Sequence, residues 1–159
     1  MEQLPSFMKV FRITHKKWSN ELVASGYAAR WNSNGFYVIY SAQSCSLACL
    51  ENLVHRNGLG LDSDFSLITV SIPEKTKKEE VLEKNLPIGW NGKDEKAHIL
   101  CRRIGDEWIK SQRSCILIVP SAIITNEKNI IINPNHKDFE TIKIELVQPF
   151  SFDKRLINK

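Results

Sequence analysis

The sequence predicts an α+β fold, a compact domain whose mixed, largely antiparallel sheet is flanked by helices. Strand-like and helix-like segments are mingled, without the regular strand–helix–strand alternation that builds a parallel sheet. The 159 residues, 42% of them hydrophobic, suffice for one real core and are cramped for two. Residues 1–159 are therefore read as a single domain.

Met8 to Thr14, rich in β-branched and aromatic residues and carrying Arg12, reads as the first strand. Trp18 to Ala24 reads as a short helix ended near Gly26. Arg30 to Gly35 is a polar loop, and Phe36 to Tyr40 is a strand. Ser41 is the expected N-cap of a helix that runs to about Arg56 and stops at Asn57-Gly58. In Phe65 to Ile72, the apolar Phe65, Leu67, Val70 and Ile72 are interleaved with Ser and Thr, the pattern of a strand, and Pro73 ends it. Glu74 to Asn85, dominated by Lys and Glu, reads as a solvated excursion; Leu86 to Trp90 is a turn that presents an aromatic. Ala97, Leu100, Cys101, Ile104 and Trp108 follow helical spacing and make a core-facing stripe. The continuous apolar run Cys115 to Val119, ahead of Pro120, predicts a buried central strand. Ile130 to Ile132 is a short strand ending at Asn133-Pro134, Ile142 to Val147 alternates again, and Phe150 to Phe152 adds an edge strand.

The net charge of +4 fits an anionic small molecule or an acidic partner and is too weak to indicate nucleic acid. The start, Met1-Glu2-Gln3-Leu4-Pro5, has no basic region followed by an apolar run, so a cytoplasmic protein without a secretory signal is expected. No apolar stretch is long enough to span a bilayer. Cys45, Cys49, Cys101 and Cys115 lack metal-ligand spacing and read as free thiols in a reducing compartment; no metal is expected.

Arg30, Trp31 and Tyr40 lie just upstream of Glu51, a carboxylate set into an apolar helical segment. That combination suits a site that holds a phosphate and stabilises a cationic transition state. Glu51 borders the stripe Leu47, Leu50, Leu53 and Val54, which predicts half burial. It is either an i,i+4 partner of His55 or a carboxylate in a low-dielectric cleft beside an oxocarbenium-like centre. Arg12 and Arg30 are either ordinary ion-pairing arginines or bidentate holders of a pyrophosphate. Tyr40 ends a strand, where its ring either packs or stacks on a heterocycle. Ser121, after a buried strand and with no base beside it, reads as a hydrogen-bonding group rather than a nucleophile. Asn133 either orients a substrate or closes an Asx turn. The four histidines are scattered and show no acid–base pair.

Taken together these segments resemble the RES domain, the toxin half of bacterial pairs whose antitoxin is an Xre-type helix-turn-helix protein. The resemblance runs through Val10-Phe11-Arg12-Ile13, Ala29-Arg30-Trp31-Asn32-Ser33, Val38-Ile39-Tyr40-Ser41-Ala42 and Leu50-Glu51-Asn52-Leu53-Val54-His55. It continues through Leu86-Pro87-Ile88-Gly89-Trp90, Val119-Pro120-Ser121-Ala122, Ile132-Asn133-Pro134-Asn135-His136 and Pro149-Phe150-Ser151-Phe152, nearly the whole chain. It implies one RES domain with an ADP-ribosyltransferase-like fold and NAD⁺ as substrate. Arg12, Arg30 and Trp31 would then serve the dinucleotide, with the two arginines on its pyrophosphate. Tyr40 would line the nicotinamide end, and Ser121 and Asn133 would bond the ribose or nicotinamide. Glu51 would stabilise the ribosyl cation, with Arg30 and Tyr40 beside it as the catalytic group. Nicotinamide is cationic before it leaves and needs no general acid, so positioning and one negative charge beside C1′ suffice. The implied reaction is nicotinamide–ribose cleavage with water or phosphate as acceptor; transfer of ADP-ribose to a protein is the alternative. A nucleic-acid-targeting toxin and a non-catalytic interaction module fit less well. The implied partner is the Xre-type antitoxin, with a homodimer inside that complex as one arrangement. Ala28-Ala29 departs from the glycine that relatives often carry before the arginine and stiffens that loop.

Overall fold

The computed structural model describes residues 4–157. Met1-Glu2-Gln3, part of the start read above for a secretory signal, lies outside the described residues, as do the last two. The strands are β1 (Phe7–His15), β2 (Ile39–Ala42), β3 (Phe65–Pro73), β4 (Lys78–Glu80), β5 (Ile116–Pro120), β6 (Lys128–Ile132) and β7 (Lys143–Phe150). The helices are α1 (Cys45–His55), α2 (Glu95–Ser111) and the short α3 (Lys154–Ile157). They form the expected α+β architecture. One seven-stranded sheet runs in the order β4-β5-β6-β2-β1-β3-β7. Among the described residues only β4 and β5 pair in parallel; the other neighbours are antiparallel.

Alternate residues feed two layers of core. Ile130 and Ile132 of β6 join Val10, Ile39, Ile68, Val70 and Ile116, whereas Ile131 joins Trp31, Trp90, Cys101 and Trp108 in the layer that receives α2. Such two-sided burial explains why β5 and β6 read as continuous apolar runs. Helix α1 lays Leu47 and Ala48 against Ile13, Ala42 and Phe65, and so sits over β1 and β2.

Several local expectations are corrected. Trp18 to Ala24 is not an α-helix: the 3₁₀ turn Lys16–Trp18 is followed by a turn at 19–20 and then by chain without regular structure. Burial there alternates, with Leu22 and Ala24 inward and Glu21 and Val23 outward, so packing at a period of two overrides the short helical pattern. Strand β2 begins at Ile39 rather than Phe36, because the Phe36 carbonyl accepts from Asn32 and its N–H donates to Ser33. Ser41 lies inside β2 and donates to the Ile130 carbonyl at 2.7 Å. The N-cap of α1 is Ser44, whose hydroxyl accepts from the Leu47 N–H at 3.1 Å. The charged excursion contains β4; its charges find partners, Glu79 with Arg113 and Glu80 with Lys128. Trp90 is tucked into the core beside Trp31, with ring centroids 6.0 Å apart, rather than presented. The Cys115–Val119 run lies between β4 and β6, one strand in from the edge, and β2 takes the central place. Phe150 closes β7, itself the edge strand, and Phe152 turns back into the core.

One feature of the sheet positions the site. β1 and β2 share a single pair, Phe11 with Ala42, while β1 and β3 pair along their whole length. Continuing the antiparallel register would oppose Ile13 to Tyr40. Instead the Tyr40 carbonyl accepts from Arg12 Nη1 at 2.8 Å, and the Ile13 carbonyl accepts from Asn52 Nδ2 at 3.3 Å. Side chains replace the missing ladder bonds, and the sheet forks without leaving these carbonyls unpaired.

Candidate active site

A cavity of about 410 Å³ opens at this fork. That is a usual size for a small-molecule site. Its walls are Phe11 to Thr14 of β1, Tyr40 to Ala42 of β2, the loop residues Ala29 to Trp31, and one face of α1. That face is Ala48, Glu51, Asn52, His55 and Arg56, a stripe at three- and four-residue spacing that includes the helix C-cap. Arg12, Arg30, Trp31, Tyr40 and Glu51, from four separate segments, thus line one hollow.

The Glu51 side chain is 22% exposed, and its Oε2 lies 3.1 Å from His55 Nε2. Glu51 is thus the i,i+4 partner of His55 and also lines the cavity wall. Arg12 reaches inward from β1, and burial pulls its guanidinium below the ordinary arginine pKa. Arg30 donates from Nη1 to the Trp90 carbonyl at 2.9 Å and from Nη2 to the Gly92 carbonyl at 3.1 Å. Both its terminal nitrogens therefore pin the 90–92 turn while the residue lines the cavity. Among the described residues, none of Arg12, Arg30 and Arg56 makes a salt bridge. Buried cations usually carry a carboxylate partner. Here three guanidinium groups surround a cavity with Glu51 as its acid, leaving a positive excess suited to an anionic ligand.

Tyr40 is fixed from both sides. Its hydroxyl donates to Asn32 Oδ1 at 2.6 Å and accepts from the Trp31 N–H at 3.1 Å. Burial raises the pKa of this hydroxyl above the usual tyrosine range, against the opposing pull of the Trp31 N–H. Tyr40 thus lines the cavity with its hydroxyl held in place. Asn32, almost wholly buried, donates from Nδ2 to the Tyr27, Ser33 and Phe36 carbonyls. The loop is clamped again by Asp106 of α2, whose carboxylate accepts from the Ser33 N–H and hydroxyl. Gly105, the preceding residue, lets the helix meet the loop: a Cβ there would lie 1.6 Å from the Trp31 carbonyl oxygen.

Two of the expected site residues are spent elsewhere. The Ser121 hydroxyl accepts from the Ile123 and Ile124 N–H groups at 3.1 and 2.9 Å, closing a turn, and does not line the cavity. Asn133 is fully buried away from it, and its Oδ1 accepts from the Asn135 N–H at 3.0 Å, an Asx turn. Trp31 borders the cavity, but its side chain is 3% exposed and packs with Trp90. Conversely, Asn52, Arg56 and Asn129 line the cavity unanticipated. Asn52 and Arg56 follow Ala48 at four-residue steps, beside the Glu51–His55 row, so the helical repeat was their signal; Asn129, near the start of β6, had none.

The four cysteines are unpaired, and burial pushes the Cys115 thiol up to about 12. No group of three or more His, Cys, Asp or Glu among the described residues is arranged to hold a metal ion. No helix among them is long and apolar enough to cross a membrane.

Residues 9–154 match the family model described as the RES domain. The "Prs ADP-ribosylating toxin" of Sphingobium sp. (strain YBL2) is 39% identical over 132 residues, covering 82% of this chain and 81% of that one. "Toxin Res" of Photorhabdus laumondii is 37% identical over 158 residues, covering 94% and 97%. A chain in the crystal structure of the M. tuberculosis MbcT-MbcA toxin-antitoxin complex superposes with a TM-score of 0.72 at 14% identity, covering 92% of this chain and 86% of that one. At that identity the likeness concerns the fold.

Proposed function

The chain belongs to the RES domain family, and on that premise we propose that it is the toxin of a toxin–antitoxin pair that consumes NAD⁺ in the cytoplasm. The reaction is cleavage of the nicotinamide–ribose bond, with water or phosphate taking the ADP-ribosyl unit. The observation that carries this reading is the convergence of three unneutralised guanidinium groups and one helix-borne carboxylate on a single hollow. The cations suit the pyrophosphate. Glu51 supplies negative charge where the ribosyl cation develops, and the Tyr40 ring shapes the nicotinamide end. No group in this scheme has to donate a proton to the leaving nicotinamide, which departs from a pyridinium.

Incubating the purified protein with NAD⁺ and following free nicotinamide tests the reaction. Glu51→Gln keeps the shape, removes the charge, and is expected to slow release about 10²–10³-fold with unfolding unchanged. A Glu51→Gln protein as fast as wild type refutes the role given to the carboxylate.

The second reading keeps the site and transfers ADP-ribose to a macromolecule. It is favoured by the name of the Sphingobium relative. Labelled NAD⁺ offered with cell extract separates the two: label on a macromolecule supports transfer, and label only in small products supports hydrolysis or phosphorolysis. An Xre-type antitoxin is the partner that belongs to this proposal, and co-purification with the product of the adjacent gene tests it. The mass of that complex decides whether two copies of the toxin share it.

A further inference from the structure

We propose that Arg56 is a phosphate-binding residue of the cleft, holding the pyrophosphate end of the ligand while Glu51 addresses the reacting ribose. The idea rests on the dinucleotide reading above, but its core is a statement about anion binding. Among the three arginines that line the cavity, Arg30 has spent both terminal nitrogens on the Trp90 and Gly92 carbonyls, and Arg12 has spent one on the Tyr40 carbonyl. Arg56 alone keeps both Nη1 and Nη2 without a hydrogen-bond partner among the described residues. It bonds only through Nε, to Asn52 Oδ1 at 3.3 Å.

Arg56 is nevertheless not a loose surface cation. Its guanidinium carbon lies 5.0 Å from the centroid of the Phe65 ring, over its face. That contact and the Nε bond restrain the guanidinium plane from two directions and leave the two-pronged end open. A planar fork with two free N–H edges is the shape that meets two phosphate oxygens at once. Holding it in advance removes part of the ordering cost of binding.

The spacing fits the division of labour. Glu51 and Arg56 are five residues apart on adjacent rows of α1 that both line the cavity, so their backbones are separated by about 7.5 Å along the axis. That is comparable to the span from the anomeric carbon of a ribosyl unit to its 5′-phosphates. The helix thus offers its acid to the reacting ring and its C-terminal cation to the phosphates, while Arg12 flanks them from β1. Arg30 then adds its charge from a fixed place, with its terminal nitrogens locking the 90–92 turn.

Calorimetric titration of the intact protein with ADP-ribose and, separately, with nicotinamide riboside tests this. Arg56→Gln is expected to weaken ADP-ribose about 10–100-fold, the range of a charge-assisted hydrogen bond, and to leave the phosphate-free riboside unchanged. Arg56→Lys, which keeps the charge without the fork, should fall between. Equal affinity of wild type and Arg56→Gln for ADP-ribose overturns the proposal. So does an equal loss for both ligands, since that marks a purely structural role through Phe65 and Asn52. So does a wild type that binds no ADP-ribose. Nicotinamide release by the wild type is read in parallel: Arg56-dependent ADP-ribose binding without release from NAD⁺ would sink the proposed reaction and leave the phosphate site standing.

Discussion

Gly105→Ala is expected to unseat the loop that carries Arg30. The methyl group would sit 1.6 Å from the Trp31 carbonyl oxygen and 2.7 Å from its carbonyl carbon, both backbone atoms that have no rotamer to escape into. Restoring ordinary contact means opening the gap between α2 and the loop by roughly 1.5–2 Å. Two effects compete. Alanine inside a helix is worth up to about 1 kcal/mol over glycine. Overpacking costs about 1–3 kcal/mol in typical cores and more when backbone must move. The contact here is far inside the ordinary limit, so the clash wins, and a net loss of about 1–3 kcal/mol is expected. For a domain of this size that lowers Tm by roughly 2–12 °C. Trp31 donates its N–H to the Tyr40 hydroxyl and neighbours Arg30, so the displacement reaches the cleft. Nicotinamide release should fall about 100-fold even where the protein remains folded, the usual penalty for a misplacement near 1 Å. Urea unfolding and the release assay on one preparation give both numbers. A Gly105→Ala protein that is more stable than wild type and fully active would show that helix propensity outweighs the contact, and that the loop is not set by α2.

The remaining predictions concern Tyr40 and Asn32. The Tyr40 hydroxyl has a pKa raised by burial, so the folded state keeps a proton that the unfolded chain releases near pH 10. The associated stability is fully present below about pH 10 and drains as pH rises above it. Urea midpoints at pH 8 and pH 11 should therefore show the wild-type advantage over Tyr40→Phe shrinking with alkalinity; an advantage that grows contradicts the buried, held hydroxyl. Asn32→Ala strips the acceptor from Tyr40 and leaves the Tyr27 and Phe36 carbonyls without their donor. A loss of about 2–4 kcal/mol is expected in denaturant unfolding. A loss below about 0.5 kcal/mol, the range of an ordinary surface change, would deny Asn32 its clamping role.

Where periodicity was strong, the sequence was a good guide. β1, β3, α1 and α2 emerged because alternation or a 3.6-residue stripe runs through them and long-range packing agrees with it. β4 did not, since its strand character comes from the β5 edge it lies against and not from Lys78-Glu79-Glu80 themselves. Ser41 and Ser44 are chemically equivalent N-cap candidates in the sequence, and only the position of β6 makes Ser41 ladder-bound and leaves the cap to Ser44. In the site, Arg12, Arg30, Tyr40 and Glu51 were legible because each is chemically conspicuous, and the family resemblance united them. Arg56 and Asn52 occupy the row beside Glu51 and His55, but polar residues in the last turns of a helix read equally well as solvated surface groups, and only the fork between β1 and β2 gives that row a cavity to face. Ser121 and Asn133 could not be weighed from sequence, since a turn-closing side chain and a ligand-binding one look alike until their neighbours' N–H groups are located.

The fork between β1 and β2 sets stability and access against each other at one seam. Substitutions that lengthened the shared ladder beyond Phe11 and Ala42 would add main-chain cohesion there. They would also close the opening of the cavity between these strands. Stabilising this protein without silencing it therefore means working elsewhere, on the outer strands or on the exposed face of α2, and leaving the gap unmended.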